Sequence, residues 1–313
     1  MTENEKLKVG ELLALGHSQR AVSKLTGVPK STVGDYAKKL SGASESVTAA
    51  STNPAKVLLL DVESSPALTY AFGRFKQNIG QNQIVREGYI LTWSAKWLGD
   101  DNIAHDSLHF YPHNMVNKDD QPLIASIYDM MNEADIVIAH NGDKFDMPLL
   151  KARMVYHGFP PPAPYKTVDT LKIAKKEFRF PSNKLDSLCQ YLGIGEKIDT
   201  GGFELWARCM DNDIAAFEEM LEYNIYDVVL LEGLYQRIAP WYSTHVNVTN
   251  FGSNEEKQCT VCGSNDLEEK GVTHTNLSTF TAYQCNCCGK WSRDRVNMKT
   301  KEQMQNTLMN IGG

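Results

Sequence analysis

Four consecutive aliphatic residues, Val57 to Leu60, run directly into Asp61 and Glu63. The run predicts a strand over Lys56–Glu63, and this strand constrains the fold more than any other segment. Side chains two apart leave the same face of a strand, so Asp61 and Glu63 point together while Val62 points away. Two carboxylates side by side repel one another and are costly unless a cation sits between them. The plainer alternative is a strand end that reaches solvent, where acids are common. Any fold for this chain has to do one or the other.

Further strands are expected at Ile90–Leu98 and Ser107–Tyr111, a helix near Leu123–Glu133, and a strand at Asp135–His140. Helices are expected at about 146–157, 170–178, 184–192, 203–209 and 213–238. Strands first, then alternation, then helices imply an α/β fold, a mixed sheet flanked by helices. Two more acids stand out. Asp146 falls where the polar loop after Asp135–His140 meets a helix, and it is either a functional acid or a helix cap. Asp143 is its rival in the same loop. Asp227 sits on the helix 213–238 one turn after Tyr223, on the same face. Val228 to Leu231 follow it directly, which argues against an ordinary solvated acid.

Three stretches, LDVES (60–64), HNGDKFD (140–146) and YNIYDV (223–228), resemble in order and local spacing the motifs of the DnaQ-like 3′–5′ exonucleases. These have a ribonuclease-H-like fold. The third stretch has the tyrosine form, DEDDy, similar to the proofreading domains of family B DNA polymerases; Glu222 stands where the histidine form would carry His. The resemblance covers roughly residues 57–240. It implies a metal-dependent exonuclease releasing nucleoside monophosphates, with two Mg²⁺ or Mn²⁺ ions held by Asp61, Glu63, Asp146 and Asp227. Asp61 would bridge the ions, Glu63 and Asp227 would bind the one that activates water, and Asp146 would support the other. Tyr223 would hydrogen-bond the attacking water, because a phenol is a poor base at neutral pH. Asn141 and Phe145 would touch the 3′-terminal nucleotide, although Phe145 reads equally as core. Hard divalent ions do favour carboxylate oxygens. Two rivals stay open: a transposase or integrase on the same fold, and a non-catalytic DNA-binding adaptor. The first has acids in the order Asp, Asp, Glu without the Tyr-x3-Asp helix.

Between the second and third motifs, Lys172, Lys175, Lys176, Arg179 and Lys184 surround Phe178 and Phe180. Cations beside rings suit a single strand, and they equally suit a solvated helix over two core rings. Farther on, Cys259-x2-Cys262 and Cys285-x2-Cys288 are separated by 22 residues, and each pair is followed by Gly. Four such thiolates can surround one structural Zn²⁺, and the pattern resembles a zinc ribbon. Cys287 is a spare thiol or an alternative ligand. Lys290, Trp291, Arg293 and Arg295 follow as a nucleic-acid surface, or the ribbon simply docks on protein.

The segment GHSQRAVSKLTGVPKSTVGDYAKKL resembles the helix-turn-helix of serine recombinases and transposase heads. Ser23 would be the small residue the motif needs, Gly27 would supply the turn and Val33 would pack back on the first two helices. Lys30, Ser31, Thr32, Asp35 and Lys38 would face a groove. Charge follows the same division, with +3 over residues 1–40, −9 over 41–250 and neutrality over 251–313. A basic head is expected to meet phosphate, and an acidic body to hold cations. The expected organisation is a helix-turn-helix head (1–40), a flexible linker (41–55), an exonuclease body (56–245), a zinc ribbon (255–295) and a tail (296–313). The whole resembles nucleases encoded by phages or mobile elements. The expected partner is nucleic acid, DNA ahead of RNA and single-stranded, with a replication or recombination protein as a further candidate. Neither a secretory signal nor a membrane span is expected, and the expected location is cytoplasmic.

Overall fold

The computed structural model describes residues 54–311 and scattered positions between 6 and 33. The chain divides into two compact units, Met1–Ala50 and Ser51–Gly313. In the first, Val9, Val22, Val28 and Val33 form a small buried cluster. Gly27 takes a left-handed backbone at φ +72° and donates its N–H to the Ser23 carbonyl at 3.0 Å, a geometry that residues with a Cβ rarely adopt. The groove-facing Lys30, Ser31, Asp35 and Lys38 lie outside the described residues, as does most of the 41–55 segment.

The second unit is built on a five-stranded sheet in the order β5-β4-β1-β6-β7. Its strands are β1 (Val57–Ser64), β4 (Ile90–Trp97), β5 (Ile103–Ser107), β6 (Ile136–Ala139) and β7 (Lys166–Asp169). A short hairpin, β2 (Leu68–Thr69) and β3 (Ile84–Arg86), stands apart from it. β1 pairs antiparallel with β4 and parallel with β6, so the sheet is mixed. The helices are α1 (Pro112–Asn117), α2 (Gln121–Glu133), α3 (Asp146–Tyr156), α4 (Thr170–Glu177), α5 (Leu185–Tyr191), α6 (Phe203–Met210), α7 (Ile214–Ile238) and α8 (Lys301–Gln305).

The pleat of β1 divides the core in two. Leu58 and Leu60 pack with Leu123 and Ile127 of α2 and Leu150 of α3. Val57 and Leu59 pack with Ile173 of α4, Leu188 of α5 and Val228 and Leu231 of α7. Leu58, Leu59 and Leu60 expose no surface, and burial of each contributes about 1.5–3 kcal/mol. By the same alternation Asp61 and Glu63 fall on the side of Leu59, where α7 crosses β1 and β4. α7 is capped by Asp213, whose carboxylate accepts the N–H groups of Ala215 and Ala216.

One expected strand is displaced. Instead of Ser107–Tyr111, the chain pairs at Ile103–Ser107 and then turns through a 3₁₀ segment, Leu108–Phe110. β5 is an edge strand with a half-exposed face, so its own alternation is weak. Phe110 is exposed, and Tyr111 donates its hydroxyl to Asp106.

Toward the C-terminus, β8 (Leu267–His274), β9 (Thr279–Cys285) and β10 (Trp291–Arg293) form a separate three-stranded sheet. Its base joins the main core, where Cys259, Val261 and Cys285 pack in one cluster with Tyr235 and Ile238 of α7. Lys290 donates to the Tyr242 carbonyl at 2.8 Å, and Val248 N–H to the Thr260 carbonyl at 3.0 Å. No helix among the described residues is long and apolar enough to cross a membrane.

Candidate active site

β1, α3 and α7 bring the four sequence-predicted acids to one place. Carboxylate oxygens of Asp61, Glu63 and Asp227 all lie within 4.8 Å of one another. Asp146, at the first position of α3, is buried, and its carboxylate is close enough to raise the pKa of both Asp61 and Glu63. The loop before it is tightly determined. Asn141 is left-handed at φ +66° and donates its N–H to Asp169 at 2.9 Å. A Cβ on Gly142 would stand 2.4 Å from the Ala139 Cβ, so only glycine fits there. Asp143, the rival acid, turns away to pair with Lys172. Phe145 is half exposed beside Asp146, so it is not core.

The cluster is electrostatically strained. Loss of water pushes Asp61 well above the usual carboxylate range, with Glu63, Asp146 and Asp227 adding to the rise. Burial, reinforced by Asp227, lifts Glu63 to about 8, and burial lifts Asp146 to about 7. Asp227 is also raised by burial, despite its ion pair with Lys197. Burial works against the Lys197 ammonium, but the Asp227 carboxylate outweighs it and holds the lysine charged. One ammonium among four carboxylates does not offset their crowding. Burial raises Tyr223 to about 12, so its phenol keeps its proton at neutral pH.

Three participants were not singled out in the sequence. Lys197 donates to Asp227 and, at 2.8 Å, to the Tyr223 hydroxyl. Asn224, fully buried, donates to Asp61 at 2.7 Å. Trp206 of α6 lies beside Glu63, where it works against the rise in the Glu63 pKa. Asn224 left a signal, since it sits three residues before Asp227 on the apolar face of α7. Lys197 lies in a Gly-bounded loop without periodicity and left none.

Cation chemistry fits this donor set. Its ligands are hard oxygens, and the buried Asp227 Oδ1 has no hydrogen-bond partner. A second group, Asp119, Asp120 and His157, provides a contrast. Asp120 accepts from the Ile90 N–H, twice from Arg153 and once from His157. Its four lone-pair sites are therefore filled, and the group is a brace between β4 and α3 rather than a cation site.

Beside the acids, His140, Asn141, Lys175, Asn183, Lys184 and Lys197 line a cavity of about 560 Å³. At the other end of α7, Cys259, Cys262, Cys285 and Cys288 place their sulfurs within 4.8 Å of one another, while Cys287 is exposed and outside the group. Cys259 and Cys288 are 3.5 Å apart, and Cys262 and Cys285 3.6 Å. Tetrahedral zinc at about 2.3 Å from each sulfur needs separations of about 3.8 Å, so the cluster fits a zinc-ribbon-like site. Gly263 and Gly289, the glycines after the two pairs, are left-handed at φ +75° and +79° and close the knuckles.

Residues 92–239 match the family model described as RNase_H superfamily. Asp146, Tyr223 and Asp227 fall inside this span, and β1 precedes it. No curated protein matches the chain. Among solved structures, the family B DNA polymerase from the hyperthermophilic archaeon Pyrobaculum calidifontis is similar at 20% identity and a TM-score of 0.44. The match covers 60% of this chain and 25% of that one, so the chain spans about a quarter of the polymerase's length.

Proposed function

We propose that this chain, which carries an RNase H superfamily domain, is a metal-dependent 3′–5′ exonuclease acting on single-stranded DNA. The observation that carries the reading is the convergence of Asp61, Glu63 and Asp227 beside Tyr223, with an unpartnered buried oxygen on Asp227. Asp146 closes the group from α3. These residue types suit a pair of Mg²⁺ or Mn²⁺ ions, which supply a nucleophile at neutral pH and steady the leaving oxygen.

The protein's own residues do the rest. Asn224 fixes the Asp61 carboxylate. Tyr223 keeps its proton and orients water by hydrogen bonding rather than acting as a base. Lys197 holds a positive charge at the mouth of the acid group, where a scissile phosphate needs one. Asn141, which lines the adjoining cavity, and the half-exposed Phe145 would receive the terminal nucleotide. Residues 1–40 serve as a DNA-binding helix-turn-helix tethered by 41–55, and 255–295 as a zinc ribbon.

A 5′-labelled single strand tests this. With Mg²⁺ or Mn²⁺ it yields a descending ladder, and a blocked 3′ end protects it. Equal cutting of a circular single strand would instead identify an endonuclease.

A further inference from the structure

A second groove, of about 660 Å³, lies between the C-terminal end of α7 and the second cysteine knuckle. Trp241 and Trp291 line it, and both are largely exposed, an unusual state for two tryptophans in one place. Arg237, Gln236 and Gln284 supply the polar lining. No carboxylate is among the described residues that line it, although residues 41–250 carry nine excess negative charges.

The groove is connected to the acid centre by side chains of the same chemistry. Trp241 meets the Phe178 ring at 5.9 Å, edge on, and Phe178 stacks on Phe180 at 4.9 Å. Phe178 caps α4, whose Lys176 lies over the Tyr242 ring and whose Lys175 lines the cavity next to Lys197. Ile194 also lines the groove, three residues before Lys197 in the same loop. Rings and cations of α4 and its C-terminal end thus lie between the acids and the ribbon. Flat exposed rings accept nucleobases of any sequence, an arginine accepts phosphate, and amides can meet base edges.

We propose that the Trp241–Trp291 groove is a second subsite that stacks bases of the single-stranded substrate upstream of the end being hydrolysed. The proposal rests on the nuclease reading for the identity of that substrate, and the ribbon contributes Trp291 and Gln284 to substrate binding besides its own folding.

The test separates binding from turnover. Affinity is measured for a labelled oligothymidylate of about 20 nucleotides with Mg²⁺ and Mn²⁺ withheld and no chelator added, so that the cysteine module keeps its zinc, and hydrolysis is measured on a dinucleotide too short to reach the groove. Trp241→Ala and Trp291→Ala should each weaken the long strand by about 5- to 150-fold, while dinucleotide turnover stays unchanged. Trp241→Phe and Trp291→Phe, which keep a ring, should retain affinity within a few-fold. Arg237→Gln, at an exposed helix position, should lower affinity and flatten its salt dependence. Zinc content checks that the alanine variants keep the ribbon, and the phenylalanine and Arg237 variants decide the question if they do not. Unchanged long-strand affinity across the set would overturn the proposal and leave the groove to a protein partner. Parallel loss of dinucleotide turnover would overturn it too, by making the rings structural. Tryptophan-dependent binding without hydrolysis of any substrate would remove the nuclease reading and leave the subsite standing.

Discussion

The acid group and the thiol group are both sets of like ligands brought together by folding, and they are held in opposite ways. The acids come from β1, α3 and α7, spread over 167 positions from Asp61 to Asp227. Each is fixed by elements buried for their own reasons, so the repulsion registers as raised pKa values rather than as disorder. The thiols come from two knuckles 22 residues apart on a small sheet whose outer strand, β8, is exposed along most of its length. Such a module buries little apolar surface and would depend on a bound ion. Cations should therefore confer function on the first site and folding on the second.

The largest expected effect is on turnover. Asp61→Asn keeps an acceptor for Asn224 but removes one negative charge. Hydrolysis should fall on the order of 10³-fold or more, beyond the 10–100-fold typical of a residue that merely orients a ligand. The Tm of the protein free of Mg²⁺ and Mn²⁺ should hold or rise, because a repelling carboxylate is gone. A Tm loss as large as that of a thiol variant would break the comparison.

Cys259→Ser should do the reverse. Elemental analysis should find zinc lost, and proteolysis should enter the β8–β10 sheet, while dinucleotide hydrolysis stays within a few-fold. Cys287→Ser should keep its zinc. If Cys287 proves essential and Cys288 dispensable, the ligand set is wrong.

Tyr223→Phe removes a hydrogen bond but no acid, so a loss of about 10- to 100-fold is expected, with little change in Tm. Asp143→Ala should matter less still, because Asp143 faces Lys172.

Stability should follow pH in a direction set by the acids. Glu63 and Asp146 have folded pKa values of about 8 and 7, above their ordinary 4.5 and 3.8. Their stabilising contribution is complete below the ordinary values and is lost as pH rises through the folded ones. Thermal melts of the protein stripped of Mg²⁺ and Mn²⁺ should thus decline between about pH 5 and 8. Restoring a divalent ion at about 100 times its Kd adds about 2.7 kcal/mol, or several degrees. A flat profile would mean that the acids are less crowded than their geometry indicates.

The smallest effect concerns the head. Deleting residues 1–50 should leave hydrolysis of short oligonucleotides unchanged and weaken binding to long DNA, most visibly at low salt. Gel shifts across a salt series measure this, and equal affinity of the two forms would remove DNA from the head's role.

Legibility in the sequence followed periodicity. The two-residue repeat put Asp61 and Glu63 on one face, the four-residue repeat joined Tyr223 to Asp227, and the paired cysteines announced themselves by spacing. β7 was missed because four residues with one buried aliphatic, Val168, carry no detectable alternation. Its place in the sheet comes from pairing with β6, a contact far along the chain. The β2–β3 hairpin was missed for a similar reason, since its strands are short and exposed. Lys197 reaches the acids only because a loop folds across α7, and nothing local encodes that.

α7 links the two ends of the molecule as a rigid measure. From Asp227 to Ile238, where the ribbon is seated, the helix runs about 16 Å without a break. On the proposed reading, this helix sets the spacing between the acids and the far groove. An enzyme built on such a calliper sets a minimum length for what it can digest well. As a strand shortens past the span, it loses its distant hold, and the last few nucleotides should remain as a stubborn residue.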